Sequence, residues 1–417
     1  MDSKIQVKRL SVREAATACL SLLALAGGVN VAQAQELTLS YFAAYKAATD
    51  QAIAGFEAAN PGIKIRASYT PEPQTIRAQF TTGNAPDVTL VYPGDGSSMA
   101  LIQLAKAGML EDLSAEPWAK SIPQSFRRSV MYNGKTYVPP TTYSFITMLS
   151  NDEVMKKLGA SVPVNFNELL AFCDKAKAST VPIAFGLKET IPTLFPGYAL
   201  IASTAFADNP TFADDHAAGK TSFARGYKQS MEMYVQMRDR GCFSRTAAGN
   251  SNDDALKQIA NGQAALYVGV VAFLPAIVKY NPDVKITQSP FPGNVDESKV
   301  RLPIGPTITY GVSAQSKHKD AAKKFVAYIA QPDNLRKWAA TVNQLVATDI
   351  ESAPAPVGNA TAVANMLKAK RTVEYLDRNW PNSKIQPAYM AGIQELLSNQ
   401  TTVDALLKRL DDAYTAQ

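Results

Sequence analysis

Apolar positions along the chain follow two periods in turn. Residues 37–41 form a short apolar run, and 46–59 places Ile53 and Phe56 at helical spacing before Asn60-Pro61-Gly62 stops the helix. Ile63, Ile65, Ala67 and Tyr69 then alternate as one face of a strand. A second helical stretch covers 75–81, and residues 88–92 are almost continuously apolar. Gly94-Asp95-Gly96-Ser97 follows and opens a helix carrying Leu101, Ile102 and Leu104. Strand and helix in alternation predict an α/β fold on a mostly parallel sheet with helices on both faces. Ligands on such sheets gather beyond the carboxyl ends of the strands, which singles out 41–45 and 92–97.

A second unit begins near Pro139-Pro140, whose restricted backbone suits a chain crossing between lobes. Asn165 with Glu168 three residues on is a capping-box pattern ahead of Leu169, Leu170 and Phe172. Residues 223–240 and 253–260 are expected to be helical, and 264–271 a buried strand. Helices over 319–330 and 332–342 follow, the second with a proline in its first turn. Residues 352–358, with two prolines, form a linker, and Val403, Leu406, Leu407 and Leu410 share one stripe of a last helix. Phe195-Pro196-Gly197-Tyr198 is expected to be a loop, and Trp338 falls at core spacing with Leu335 and Val342.

The amino terminus changes how the charge is understood. Lys4, Lys8, Arg9 and Arg13 precede an apolar stretch over 15–26, too short for the ~20 residues of a membrane span, and Ala32-Gln33-Ala34 presents small residues for cleavage. This is the order of an export leader removed after Ala34. Cys19 lies inside the apolar stretch, so a lipid anchor is not expected. Removal takes four cations and two anions from a net charge of +6 and leaves 383 residues at +4. With 46% hydrophobic and 19% charged residues the chain is too apolar for disorder, and no like-charge run tracks phosphates, so nucleic acid is not an expected partner. Export permits a bridge between the two remaining cysteines, Cys173 and Cys242; two separately buried thiols are the alternative.

Catalytic patterns are scarce. There is no Gly-x-Ser-x-Gly elbow, His-Glu-x-x-His helix or phosphate loop. The two histidines, His216 beside Asp214 and Asp215 and His318 between lysines, sit in contexts expected to be solvated loops. No enzyme activity, metal or cofactor is expected.

Seven segments, in order, resemble one family. They include Phe56-Glu57-Ala58-Ala59-Asn60-Pro61-Gly62, Asn84-Ala85-Pro86-Asp87-Val88, Ala107-Gly108-Met109-Leu110 and Asn133-Gly134-Lys135-Thr136-Tyr137. Ser150-Asn151-Asp152, Asn261-Gly262-Gln263-Ala264-Ala265-Leu266 and Ser316-Lys317-His318-Lys319-Asp320-Ala321-Ala322 complete the series. The chain thereby resembles the extracellular solute-binding proteins of ABC importers, specifically the family 1 carbohydrate-binding, maltose-binding-protein-like group. It departs at Leu149-Ser150, where the family usually has an aromatic. It departs again at Gly269-Val270-Val271, where the missing Trp leaves Phe273 as the nearest substitute.

The resemblance implies a two-lobed periplasmic-binding-protein fold of type II, each lobe a mostly parallel sheet flanked by helices, closing on a ligand at a hinge. The expected division is a leader over 1–34, lobe 1 over 35–141 and 308–346, and lobe 2 over 142–307 and 347–417. The crossovers are expected near 138–143, 308–312 and 346. A sugar offers a C–H face to aromatic rings and a rim of hydroxyls to polar groups. The expected contacts are Tyr41, Phe42, Tyr45, Tyr92 and Asp95 from lobe 1, with Tyr143, Phe145, Phe273, Tyr310 and Trp380 beyond the crossover. The resemblance further implies a monomeric periplasmic receptor that delivers a sugar or short oligosaccharide to an ABC permease. The alternatives are an acidic saccharide, polyamine or ferric ion in the same fold, or an exported carbohydrate-active enzyme.

Overall fold

The computed structural model describes residues 35–416 apart from 43–44, 70–72, 123–126, 245 and 347–358. The expected leader, its cleavage point and the 352–358 linker lie outside the described residues. The strands are β1 (Gln35–Tyr41), β2 (Ile63–Tyr69), β3 (Val88–Val91), β4 (Thr142–Asn151), β5 (Val181–Ala184) and β6 (Ala264–Val270). They continue with β7 (Ile286–Ser289), β8 (Leu302–Pro306), β9 (Thr309–Val312), β10 (Leu345–Val346) and β11 (Thr372–Glu374), and a small hairpin pairs Met131–Tyr132 with Lys135–Thr136.

In the first lobe the sheet order is β9-β3-β1-β2, with β1 parallel to β2 and β3 and the returning β9 antiparallel to β3. Leu37 and Leu39 of β1 are fully buried, as the apolar run predicts. The helix Lys46–Ala59 lays Phe56 edge-on against Phe325 of the helix Lys319–Ala330 at 5.2 Å, and Asn60 ends it by donating its side-chain amide to the Phe56 carbonyl at 2.9 Å. Asp87 fastens this lobe together. Its carboxylate accepts from the Thr38 amide and hydroxyl, both at 2.8 Å, and from the Ser316 hydroxyl at 2.6 Å, so one buried side chain ties β1, β3 and the segment after β9. A carboxylate holding three donors this far from water is costly to lose.

The second lobe departs from the mostly parallel expectation. Its sheet turns around β4, which is antiparallel to β6, β7, β8 and β10, while the outer pairs β5–β6 and β8–β11 are parallel. Nearly every residue of β4 is buried, and a strand covered on both faces has the same apolar pattern in either direction. Asn165 caps the helix Phe166–Ala176 by accepting from the Glu168 amide at 3.0 Å, while Glu168 reaches back to the Val164 amide at 3.1 Å. Asn151 caps the next-door helix Asp152–Leu158 and donates to the Ile259 carbonyl at 2.8 Å, which accounts for the Asn-Asp pair in the sequence. Cys173 and Cys242 form a disulfide inside this core, Cα atoms 4.9 Å apart. The segment expected as a loop at 195–198 is instead the helix Leu194–Ser203, buried on all sides, with Pro196 in its first turn and Gly197 letting the Tyr389 ring approach.

His216 is also corrected from a solvated loop to a buried position. Its ring stacks on Tyr414 at 3.7 Å and meets Phe223 edge-on at 4.5 Å, pinning the last helix, Val403–Thr415, to the lobe. Burial holds its pKa below the ordinary 6.5, against an opposing pull from Asp411. Below pH 6.5 the unfolded chain therefore takes a proton that the native state resists, so the stability of the C-terminal docking falls as the medium acidifies through that value. Thermal melts between pH 7.5 and 5.5 should show a drop that His216→Phe reduces; an equal drop in both proteins rules this histidine out.

The lobes meet at a polar junction. The Thr307 hydroxyl lies 3.1 Å from that of Thr141 and 2.9 Å from that of Thr142, and Thr142 donates to the Gln344 side-chain oxygen at 2.5 Å. Thr307 and Gln344 belong to separate passages of the chain, so side-chain bonds bind three passages into one hinge. A core around Phe56, Leu90 and Phe325 lies on one side of it, and cores containing Met148, Leu200 and Val363 on the other.

Candidate functional site

The first lobe presents the carboxyl ends of β1 and β3. Tyr41, Phe42 and Tyr45 are half-buried there, as is Tyr92. Phe42 and Tyr92 pack edge-on at 6.0 Å, Tyr41 lies beside Tyr69 at 6.1 Å, and Tyr45 stacks on Trp338 with ring centroids 6.0 Å apart and planes 19° apart. The Tyr45 hydroxyl accepts from Gln344 at 3.1 Å, and burial pushes its pKa up, so the ring is held neutral against the hinge. Asp95 is held by two partners of its own lobe: Gln103 donates at 2.6 Å and Lys106 at 3.3 Å.

From the second lobe comes the stretch that follows β11. Tyr375 is anchored by its amide to the Ile304 carbonyl at 2.9 Å, and Arg378 donates to the Pro306 carbonyl at 3.2 Å and to Asp377 at 2.5 Å. Gln386 completes Asp377 at 3.1 Å. This buried acid and base are thus paired and hydrogen-bonded, the condition under which charges persist away from water.

The two pieces touch. Gly94, with φ of +83°, brings its backbone against that of Arg378, and Gly96 lies so close to the Asp377 carbonyl that a side chain there would overlap it. Beside this contact is a cavity of about 200 Å³ lined by Pro93, Gly94, Asp95 and Ile102 from one lobe and Glu374, Arg378, Asn379 and Trp380 from the other. Of the residues expected from sequence, the structure brings Asp95 and Trp380 to this cavity. Trp380 is 3% exposed, packing on Tyr198 and Phe223 from behind.

Others lie elsewhere. Phe145 is fully buried in the core with Leu302 and Val363, because it sits on β4 opposite Ile304 and is covered on both faces. Tyr310 is 2% exposed, its hydroxyl 2.9 Å from that of Thr49 and its ring edge-on to Trp338, so it is a core residue of the first lobe and has no face left for a ligand. Phe273 is half-buried between Phe195 and Tyr267, away from the cavity lining. Tyr143, also half-buried, lies in the hinge strand opposite Pro306 and Leu345. Glu374, Arg378 and Asn379 went unnoticed in the sequence; the cue was the charged stretch Glu374-Tyr375-Leu376-Asp377-Arg378-Asn379 running into Trp380.

A hinge, two α/β lobes and a polar cavity where strand ends meet define a binding protein that encloses a small solute. Comparison with known proteins gives it a lineage: residues 51–367 match the profile described as Bacterial extracellular solute-binding protein, and the chain belongs to that family. The multiple sugar-binding protein of Streptococcus mutans is 26% identical over 330 residues, 76% of this chain and 77% of that one. A structure from work on xylan utilization by Caldanaerobius polysaccharolyticus superposes with a TM-score of 0.75 at 23% identity, covering 90% of this chain and 99% of that one. The bacterial solute receptor AcbH, described by its substrate preference for β-D-galactopyranose, gives 0.74 at 18% identity, covering 91% and 98%. Among the described residues no helix is long and apolar enough to cross a membrane.

Proposed function

We propose that this chain is the exported, monomeric receptor of an ABC importer, that it captures a neutral saccharide between its lobes without chemical turnover, and that it passes the sugar to the permease from the periplasm after losing its first 34 residues. The observation that carries the reading is the interlobe cavity, where two carboxylates, an amide and an arginine surround a space at the meeting of the lobes. Carboxylates and amides accept from sugar hydroxyls, and the arginine can donate to them. The names of the relatives support a sugar as the class of ligand.

The cavity also speaks to the ligand's charge. Arg378 is paired with Asp377 and Asp95 with Lys106, so of the charged residues lining the space Glu374 alone has no opposite charge bound to it among the described residues. An acidic saccharide would meet the unneutralised Glu374, so the neutral sugar is preferred despite the chain's basic balance. Calorimetry and intrinsic fluorescence against a broad saccharide panel are expected to show saturable binding, with neutral sugars ahead of uronic acids. A panel with no saturable ligand would end the carbohydrate reading, and sugar hydrolysis would end the non-enzymatic one.

A further inference from the structure

We infer that the cleft recognises one sugar ring, so that a monosaccharide or the terminal ring of a chain supplies nearly all the binding energy. The inference rests on the saccharide reading above and concerns how much of a saccharide is read. The first support is volume. The cavity holds about 200 Å³, below the ~300–1,000 Å³ of pockets that enclose drug-sized molecules. At the ~30 Å³ that each water occupies in the liquid, that space is worth on the order of seven waters. A cavity of that scale matches one small ring held between the lobes better than two rings joined end to end.

The second support is the wall. A chain of sugars needs a succession of aromatic faces, one for each ring; Trp380 is the one aromatic among the residues lining this cavity and is itself 3% exposed, packed on Tyr198, Phe223 and Tyr389. The rings nearest along the strand ends are engaged already: Phe42 with Tyr92, and Tyr45 with Trp338. The third is the boundary. A Cβ at Gly94 would already press on the Arg378 backbone at 3.0 Å, so that side leaves no room for a further ring to continue through the cleft while the lobes are shut. The polar groups suit this scale as well. Asp95, Glu374 and Asn379 provide enough acceptors and donors for the hydroxyls of one ring, and Asp95 is braced by Gln103 and Lys106.

The test is calorimetry of the purified full chain with D-glucose, D-galactose, D-mannose and D-xylose, and with the linear di- and trisaccharides of each. The expected result is a monosaccharide that binds within tenfold of, or more tightly than, its own di- and trisaccharides. Affinity that rises tenfold or more with each added ring would overturn the inference and leave the saccharide reading intact. Binding of no saccharide of any length would overturn both. A variant gives an independent reading: Glu374→Gln is expected to weaken a monosaccharide and its trisaccharide by the same factor, roughly tenfold, because both place the same ring against it. Unequal factors would show that the longer ligand uses a second site and would sink the single-ring assignment.

Discussion

Gly96→Ala is expected to hold the two lobes apart. The added methyl group would overlap the Asp377 carbonyl oxygen, a backbone atom with no rotamer by which to withdraw. Overpacking of this kind costs about 1–3 kcal/mol. Here the molecule has an inexpensive escape: it can open at the hinge and leave each lobe's own packing unchanged. Small-angle scattering should therefore report a larger radius of gyration for the variant in saturating ligand than for the parent. Calorimetry should show ligand affinity reduced roughly ten- to hundredfold, since about 1.4 kcal/mol is a factor of ten. Gly62→Ala is the control, because a methyl group there meets nothing within 4 Å. If Gly96→Ala binds and closes like the parent, the glycine contact does not govern closure.

Removal of the bridge between Cys173 and Cys242 is expected to have the larger effect on stability. The two residues are 69 apart in sequence and lie fully buried in the second lobe, Cys173 on the helix Phe166–Ala176 and Cys242 beside β5. Closing a loop of that length in the unfolded chain is worth about 4 kcal/mol on the chain-entropy account. For a body the size of this lobe that amounts to a melting temperature roughly 10 °C lower in the double alanine variant. Differential scanning calorimetry decides it, and a shift under two degrees would mean that the unfolded state is already restricted without the bridge. The first lobe, which carries no described cysteine, should melt alike in both proteins if the lobes unfold separately.

Much of the first lobe was legible because its signals are local. The Asn-Pro-Gly stop, the period of Ile53 and Phe56 and the alternation after Ile63 each belong to a few adjacent residues, and the helix Lys46–Ala59 has the bounds they predict. The direction of the second lobe's strands was not legible, since it depends on which distant segment enters beside β4. Nor could the helix at 194–203 be recognised: a Pro-Gly pair looks like a turn, but Pro196 falls in the first turn, where its missing N–H breaks no helical bond, and burial on every side holds Gly197 in the helix. The same division runs through the site. Asp95, after a strand, and Trp380, beside a proline, were singled out in the sequence, and both come to line the interlobe cavity. Phe145 and Tyr310 were misjudged because an aromatic near a strand end is equally a core residue, and only the cover laid over it by distant helices decides. Glu374 and Arg378 acquire their place from the meeting of two lobes, which no local spacing records.

The threonines at the hinge bear on how such a molecule moves without penalty. A buried junction that bends must break hydrogen bonds, and an orphaned polar group there would set a barrier to motion. Hydroxyls avoid this difficulty because each can give or receive and can swing its hydrogen about a single bond. With Thr141, Thr142 and Thr307 clustered around the Gln344 amide, partners can be exchanged one at a time as the angle changes. A joint so built can bend without stranding a buried polar group, which leaves the energy of ligand capture for holding the ligand.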